Sequence, residues 1–406
     1  METLKRVVYW AAVVGVLIGV LLLPGTGQGL AADEFVPGEV LVRFRPGTPG
    51  AEAAAAHRQA GGQPREVIPG IDVHVVKVPP GRERAAVEAY RRSPNVVFAE
   101  VNGFYAAVQT AWTPNDPLFG QQWQYPKIKA PEAWYLVRGS AGVAIAVLDT
   151  GIDQSHEDLW AKIQRNVNFT TSRTVDDRYG HGTHVAGSAA ASTNNGLGVA
   201  GTCPNCVLYN VKVLDDNGRG AWSWIASGIV WAADNGAKVI NLSLGGSTGS
   251  SAVEAAVNYA WGEGVVLAAA AGNSGTSSPF YPAAYDNVIA VAATDQSDNK
   301  ASFSNYGNWV DIAAPGVGIL STAPDHPNKV WGKGVKYGTL SGTSMASPHV
   351  AGTAGLVWSA GVCADNSCVR GRIEQGADKI PGTGTYWANG RLNAYNAVAG
   401  PVGTAP

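Results

Sequence analysis

Apolar positions along most of this chain fall into short unbroken runs, separated by Gly-rich turns and Ala-rich stretches. Segment 143–148, Val-Ala-Ile-Ala-Val-Leu, has no polar break, as a strand buried on both faces requires. Comparable runs occupy 207–214, 239–244, 265–271 and 288–291. Stretches of helical character lie between them at 184–192, 223–235 and 251–263. Strands alternating with helices predict an α/β domain, with a parallel sheet covered by helices on both faces, over about 123–398. Residues 399–406 form a short tail.

The pattern differs upstream. Residues 40–44, 73–78 and 95–100 read as strands, while 51–59 and 82–92 read as helices. This split β-α-β arrangement predicts a small α+β, ferredoxin-like unit over 33–105. Nothing in it looks catalytic, and its place ahead of a larger domain suggests a pro-segment. Residues 105–117 lack periodicity and contain Pro114 and Pro117, so 106–122 reads as a linker and amino-terminal arm.

At the amino terminus, Lys5 and Arg6 precede an apolar run, 7–23, that Pro24 and Gly25 end before small residues lead to Ala31 and Ala32. A basic flank, an apolar stretch and a small-residue exit predict a cleaved signal peptide over 1–32. An uncleaved anchor is the alternative, because the run is near the lower limit for spanning a bilayer. The cleaved signal predicts a secreted, extracellular protein with no membrane attachment afterwards.

Composition narrows the class. Of the 406 residues 46% are hydrophobic and 15% charged, with a formal net charge of -2, which excludes intrinsic disorder. So balanced a charge gives no footprint for nucleic acid. Four cysteines are too few for a disulfide scaffold. In an oxidising compartment Cys203 with Cys206, and Cys363 with Cys368, suit two local bridges. Cys203 and Cys206 also fit a redox pair or half a zinc site, although no second pair completes a tetrahedral set.

Three segments carry candidate chemistry. Leu148-Asp149-Thr150-Gly151 puts a carboxylate at the end of a buried run, Gly180-His181-Gly182 opens a helix with an imidazole, and Gly342-Thr343-Ser344 opens another with a hydroxyl. A serine hydroxyl attacks only when a base takes its proton. Histidine titrates near neutrality, and a buried aspartate fixes its tautomer. The chain order Asp149, His181, Ser344 differs from that of α/β-hydrolases and of chymotrypsin-like proteases. The G-x-S-x-G elbow of a lipase or esterase is also incomplete. Asn273, after 269–272, ends another run and can donate to an oxyanion with the Ser344 N–H, though alone it also reads as a turn residue before Ser274-Gly275.

These motifs, in this order, resemble the subtilisin-like serine proteases (subtilases), and most closely the thermitase-like branch, over about 112–398. The resemblance implies a three-layer α/β/α core with a mainly parallel sheet and an inhibitory propeptide upstream. It makes the protein a serine endopeptidase built as a zymogen, with Ser344 the nucleophile, His181 the general base and then acid, Asp149 the orienting carboxylate and Asn273 the oxyanion donor. A catalytically silent binding relative would have lost one of these residues, and all are present.

Extended polypeptide substrates would pair with 217–220, including Gly218, Arg219 and Gly220, and with 243–246, including Ser243, Leu244 and Gly245. Such backbone pairing gives broad specificity. Ala270 and Gly272 would wall the pocket for the residue before the cut, with Phe280 near its base, and no acidic residue there favours a basic side chain. The resemblance also implies structural calcium. Asp116, Asp158 and Asn195, with carbonyls of Ser192, Leu197 and Val199, match the family's tight site and are hard oxygen ligands. Without that match, the two carboxylates would read as surface charges. A weaker cation site would use Asp311 with carbonyls of Ala283, Tyr285 and Val288. The shortened loop 170–179 offers only Asp176 and Asp177 for a third. Val185 stands where the branch often has cysteine, and His156, His184 and His349 read as structural. The mature enzyme is expected to be a monomer.

Overall fold

A computed structural model describes residues 35–103 and 111–400. The signal-peptide reading at 1–32, the junction 104–110 and the last six residues lie outside them. The chain divides into two compact units, Met1–Val108 and Gln109–Pro406.

The first unit runs β1 (Phe35–Phe44), α1 (Gly50–Gln59), β2 (Gln63–Ile68), β3 (Val73–Lys77), α2 (Glu83–Arg91) and β4 (Val96–Gly103). Its sheet has the order β2-β3-β1-β4 with antiparallel neighbours, the ferredoxin-like topology. Val40, Val42, Phe44 and Val76 pack under Val87 and Tyr90 of α2 to form its core. Strand β2 was not predicted. Every residue in it is exposed, so it carries no apolar alternation to read.

The second unit begins with two short helices, α3 (Gln124–Lys127) and α4 (Ala130–Leu136), followed by β5 (Ala144–Asp149), β6 (Ile163–Asn168) and α5 (His181–Ala190). Then come β7 (Val207–Lys212), α6 (Trp222–Asp234), β8 (Val239–Leu242), α7 (Ser251–Gly262), β9 (Val266–Ala270) and β10 (Ile289–Thr294). The chain finishes with β11 (Ile312–Pro315), β12 (Ile319–Thr322), β13 (Tyr337–Leu340), α8 (Thr343–Ser359), α9 (Asn366–Gln375) and α10 (Ala394–Ala399). Seven strands form one sheet in the order β11-β10-β9-β8-β5-β7-β6, and every pairing is parallel.

The side-chain alternation of β5 explains the layers. Ile145 and Val147 join Val185 of α5 and Val350 of α8 on one face, whereas Ala146 and Leu148 join Ile229 of α6 and Val257 of α7 on the other. Both faces are buried, so the run needs no polar residues. Strand β5 lies between β8 and β7, where the order of strands turns back on itself, and Asp149 is its last residue. Crevices that bind ligands form outside the carboxyl ends of strands at such points.

Both cysteine pairs are bonded, Cys203 to Cys206 and Cys363 to Cys368, so none of the four is a free thiol. Among the described residues, no helix is long and apolar enough to cross a membrane.

Candidate active site

Three elements deliver the candidate reactive groups. Asp149 ends β5, His181 is the first residue of α5, and Ser344 is the second residue of α8. His181 Nδ1 lies 2.8 Å from Asp149 Oδ1 and 3.0 Å from Oδ2. The helix can come this close because residue 182 is glycine: a Cβ there would stand 2.1 Å from the Gly151 carbonyl oxygen and 3.0 Å from Asp149 Cβ. Burial opposes charge on His181. The adjoining Asp149 carboxylate outweighs it, with a smaller contribution from Asp177, and the imidazole pKa rises above its usual value.

The Ser344 hydroxyl donates to the Ser243 carbonyl at 3.2 Å, and not to His181. The backbone beside it is anchored by a neighbouring sequence feature. Pro348 lies inside α8 and has no N–H to offer the carbonyl four residues back. That carbonyl belongs to Ser344, and the Ser243 hydroxyl donates to it instead at 2.8 Å. Ser243 in turn lines the same cleft as His181.

Asn273 is exposed beyond β9. Its side-chain oxygen accepts from Thr343 N at 2.8 Å and from Thr343 Oγ1 at 2.9 Å. Two donors on one atom identify the oxygen, so the amide NH₂ is the end left to donate. A Cβ built on Gly342 would be 3.5 Å from that nitrogen and 3.6 Å from Ser344 N, which sets both donors around one point. Thr343, the residue that orients the amide, was not singled out from sequence.

A cleft of about 430 Å³ is lined by His181, Gly218, Arg219, Gly220, Ser243, Leu244 and Gly245, together with Thr150, Tyr179, Trp222 and Tyr281. Residues 215–219 form a turn, in which Asp215 accepts the N–H groups of Asn217 and Arg219, so the predicted extended segment at 217–220 is partly a turn. Ala270 and Gly272 do not line this cleft. Both are buried, and Gly272 N donates to Thr343 Oγ1 at 3.1 Å. The Phe280 ring stands between the two walls: a Cβ on Gly245 would meet it at 2.5 Å and one on Gly272 at 2.9 Å.

The predicted calcium ligands are brought together. Asp116 and Asp158 are only 4% and 0% exposed. Loop 192–199 wraps them: Asn194 N and Asn195 N donate to Asp116, while Asn195 Nδ2 and Val199 N donate to Asp158. Burial pushes the Asp116 carboxyl up, and Asp158 adds to the effect against those N–H bonds. The carbonyls of Ser192, Leu197 and Val199 accept no hydrogen bond among the described residues. Two buried carboxylates, held by a loop with three unengaged carbonyls, are hard oxygen donors of the kind that suits a divalent cation such as calcium.

The other cation sites fare differently. Asp311 is held by Arg370, whose Nη2 lies 3.0 Å away and whose Nη1 donates to the Asp286 carbonyl at 2.6 Å. Asp311 is thus already paired with a guanidinium, and the Tyr285 carbonyl accepts from Val288 N at 3.1 Å. Burial raises the Asp311 carboxyl to about 6 even so. Asp153, Asp176 and His326 lie close enough to share a metal. Asp176, however, is already paired with Arg178 at 3.1 Å.

Three other histidines of the second unit are engaged in packing and hydrogen bonds. His184 is buried, its Nε2 facing the carbonyls of Ile319 and Gly338 at 3.0 and 3.1 Å, and burial lowers its pKa to about 3. His349 packs edge-on to Tyr125. His156 bridges Asp158 N and the Lys336 carbonyl.

A parallel sheet with a carboxylate–imidazole pair and a helix-borne serine at its carboxyl edge defines a subtilisin-like hydrolase. The sequence agrees: residues 140–391 match the subtilase family, and residues 25–102 match the fervidolysin N-terminal prodomain. The chain belongs to the subtilase family and is a serine endopeptidase that carries a propeptide. It is 54% identical to thermitase of Thermoactinomyces vulgaris over 289 residues, 71% of this chain and 99% of that protein. It is 47% identical over 376 residues to the thermophilic serine proteinase of Bacillus sp. strain AK1, covering 90% and 88% of the two chains. A solved protease from Pseudoalteromonas arctica PAMC 21717 superposes with a TM-score of 0.63 at 34% identity, over 71% of this chain and 99% of its own.

Proposed function

We propose that this endopeptidase is made as a secreted zymogen and cuts polypeptides through Asp149, His181 and Ser344, with Asn273 as oxyanion donor. The observation that carries this reading is the Asp149–His181 contact at 2.8 Å on the rim of an open cleft. In the reaction His181 takes the Ser344 proton as the hydroxyl attacks the scissile carbonyl, and Asp149 stabilises the imidazolium. Asn273 Nδ2 and Ser344 N then hold the oxyanion. His181 returns the proton to the leaving amine, and water repeats the cycle on the acyl-enzyme.

Residues 1–32 would be removed as a signal, 33–105 would inhibit the active site until cleaved, 106–122 would be the linker and arm, and 123–398 the catalytic domain, acting extracellularly as a monomer. Substrate would lie extended along 217–220 and 243–246, and reading backbone more than side chain gives broad specificity. Phe280 between Gly245 and Gly272 shortens the pocket before the cut and favours small side chains there. A serine-directed fluorophosphonate should label Ser344 of the mature enzyme, and a peptide library should be cut broadly, mainly after small residues. Labelling at another residue, or none in an enzyme that cuts peptides, sinks the assignment.

The Asp116–Asp158 site would take one structural calcium. An ion bound only by the folded state adds RT ln(1 + [L]/Kd), about 2.7 kcal/mol at a hundredfold excess. In the Ser344→Ala protein, where self-digestion cannot interfere, strong chelator should lower the melting temperature by several degrees, and added calcium should restore it. An unchanged melting curve would mean that the carboxylates hold no ion.

A further inference from the structure

We propose that Asp177 is a positioning residue for the reaction, whose buried carboxylate ties the end of β5 to the first turn of α5 and so sets Asp149 against His181. The inference rests on the triad reading above. Asp177 is 0% exposed and accepts five hydrogen bonds. Its Oδ1 takes Thr150 Oγ1 at 2.8 Å, Tyr179 N at 3.2 Å and Gly180 N at 2.7 Å. Its Oδ2 takes Thr183 N at 2.8 Å and Thr183 Oγ1 at 2.7 Å. These partners flank His181 on both sides.

Thr150 completes the tie. Its N–H donates to Asp149 Oδ1 at 2.7 Å, and its hydroxyl, while donating to Asp177, accepts from Gly182 N at 2.9 Å. One continuous chain of hydrogen bonds therefore runs from the orienting carboxylate, through Thr150 and Asp177, to residues 180, 182 and 183 around the base. Burial pushes the Asp177 carboxyl up, and the N–H groups of Gly180 and Thr183 at the helix N-terminus, with the hydroxyls of Thr183 and Thr150, act against that by bonding its charged form.

A buried anion usually has a cation beside it. Asp177 forms no ion pair among the described residues, and the cations nearby are engaged elsewhere. Arg178 pairs with Asp176, and Lys212 bonds the Thr150 carbonyl and pairs with Asp216. The positive charge that arises in this region during turnover is the His181 imidazolium, held by Asp149 at contact and by Asp177 at longer range. Asp177 thus has two effects through His181: it fixes the ring's position and favours its charged form.

The test uses the mature enzyme obtained from the full-length precursor. Asp177→Asn keeps the shape but removes the charge and one set of acceptors. It should lower kcat by about 10²-fold or less while leaving KM within a few-fold, because no substrate touches Asp177. The acid limb of kcat/KM should move to lower pH by about half a unit to one unit, since loss of a nearby negative charge makes the imidazolium easier to deprotonate. Thr150→Val breaks the tie and keeps the charge, so it should lower kcat with the acid limb unmoved, and Thr150→Ser should restore the rate. Wild-type kcat and an unmoved acid limb in Asp177→Asn overturn the proposal. If that variant does not mature, full kcat in Thr150→Val overturns it. Fluorophosphonate labelling separates this from failure of the triad: a labelled Ser344 with an indifferent Asp177 sinks only the positioning role.

Discussion

Ser344→Ala is expected to lower kcat by about 10⁶-fold and to leave the propeptide uncut, the size of loss being that measured in subtilisin, a member of the same family. The substitution removes one hydroxyl and little else. Among the described residues Ser344 Oγ makes a single hydrogen bond, to the Ser243 carbonyl, and the backbone stays anchored because Ser243 still donates to the carbonyl that Pro348 leaves free. Folding should therefore survive, and the rate that remains over water would come from the oxyanion donors and substrate binding alone. Turnover of a peptide anilide, and mass spectrometry of the secreted chain, give the two readouts. A variant that matures alone and digests casein would remove Ser344 from the mechanism.

Asp149→Asn should cost about 10⁴-fold in kcat. The carboxylate accepts from His181 Nδ1, so the other ring nitrogen is free to act as base. An amide can present its NH₂ to Nδ1, which puts the ring proton on Nε2 and leaves nothing to receive the serine proton. Asp149 is fully buried and outside the residues that line the cleft, so KM should change only a few-fold. Single-turnover kinetics on an activated ester and a peptide amide would check the split. A loss under tenfold would mean that His181 does not depend on Asp149 for its tautomer.

Both substitutions concern residues that could be found without coordinates, because each closes a motif at the end of an apolar run or the start of a helix. The propeptide was legible where it buries one face, in β1, β3 and α2, and illegible in β2, where all residues are exposed. Strand β6 escaped for a related reason, since Gln164, Arg165 and Asn166 are exposed and break its apolar pattern. The Arg370–Asp311 pair joins residues far apart in the chain, which no local pattern reveals.

By itself the sequence determined the residue types and their order: a carboxylate, an imidazole, an amide and a hydroxyl, each beside a strand or helix that local periodicity forces into being. It also determined the glycines and the proline that later prove spatially necessary. Only the tertiary structure decided which groups meet. Gly182 lets α5 approach β5, Thr343 turns the Asn273 amide outward, Ser243 takes the carbonyl that Pro348 leaves open, and Phe280 closes the space between two glycines. The physical reason is that periodicity reports which face of an element is buried, whereas hydrogen bonds and van der Waals contacts between distant segments depend on ångström distances that only the packed sheet sets.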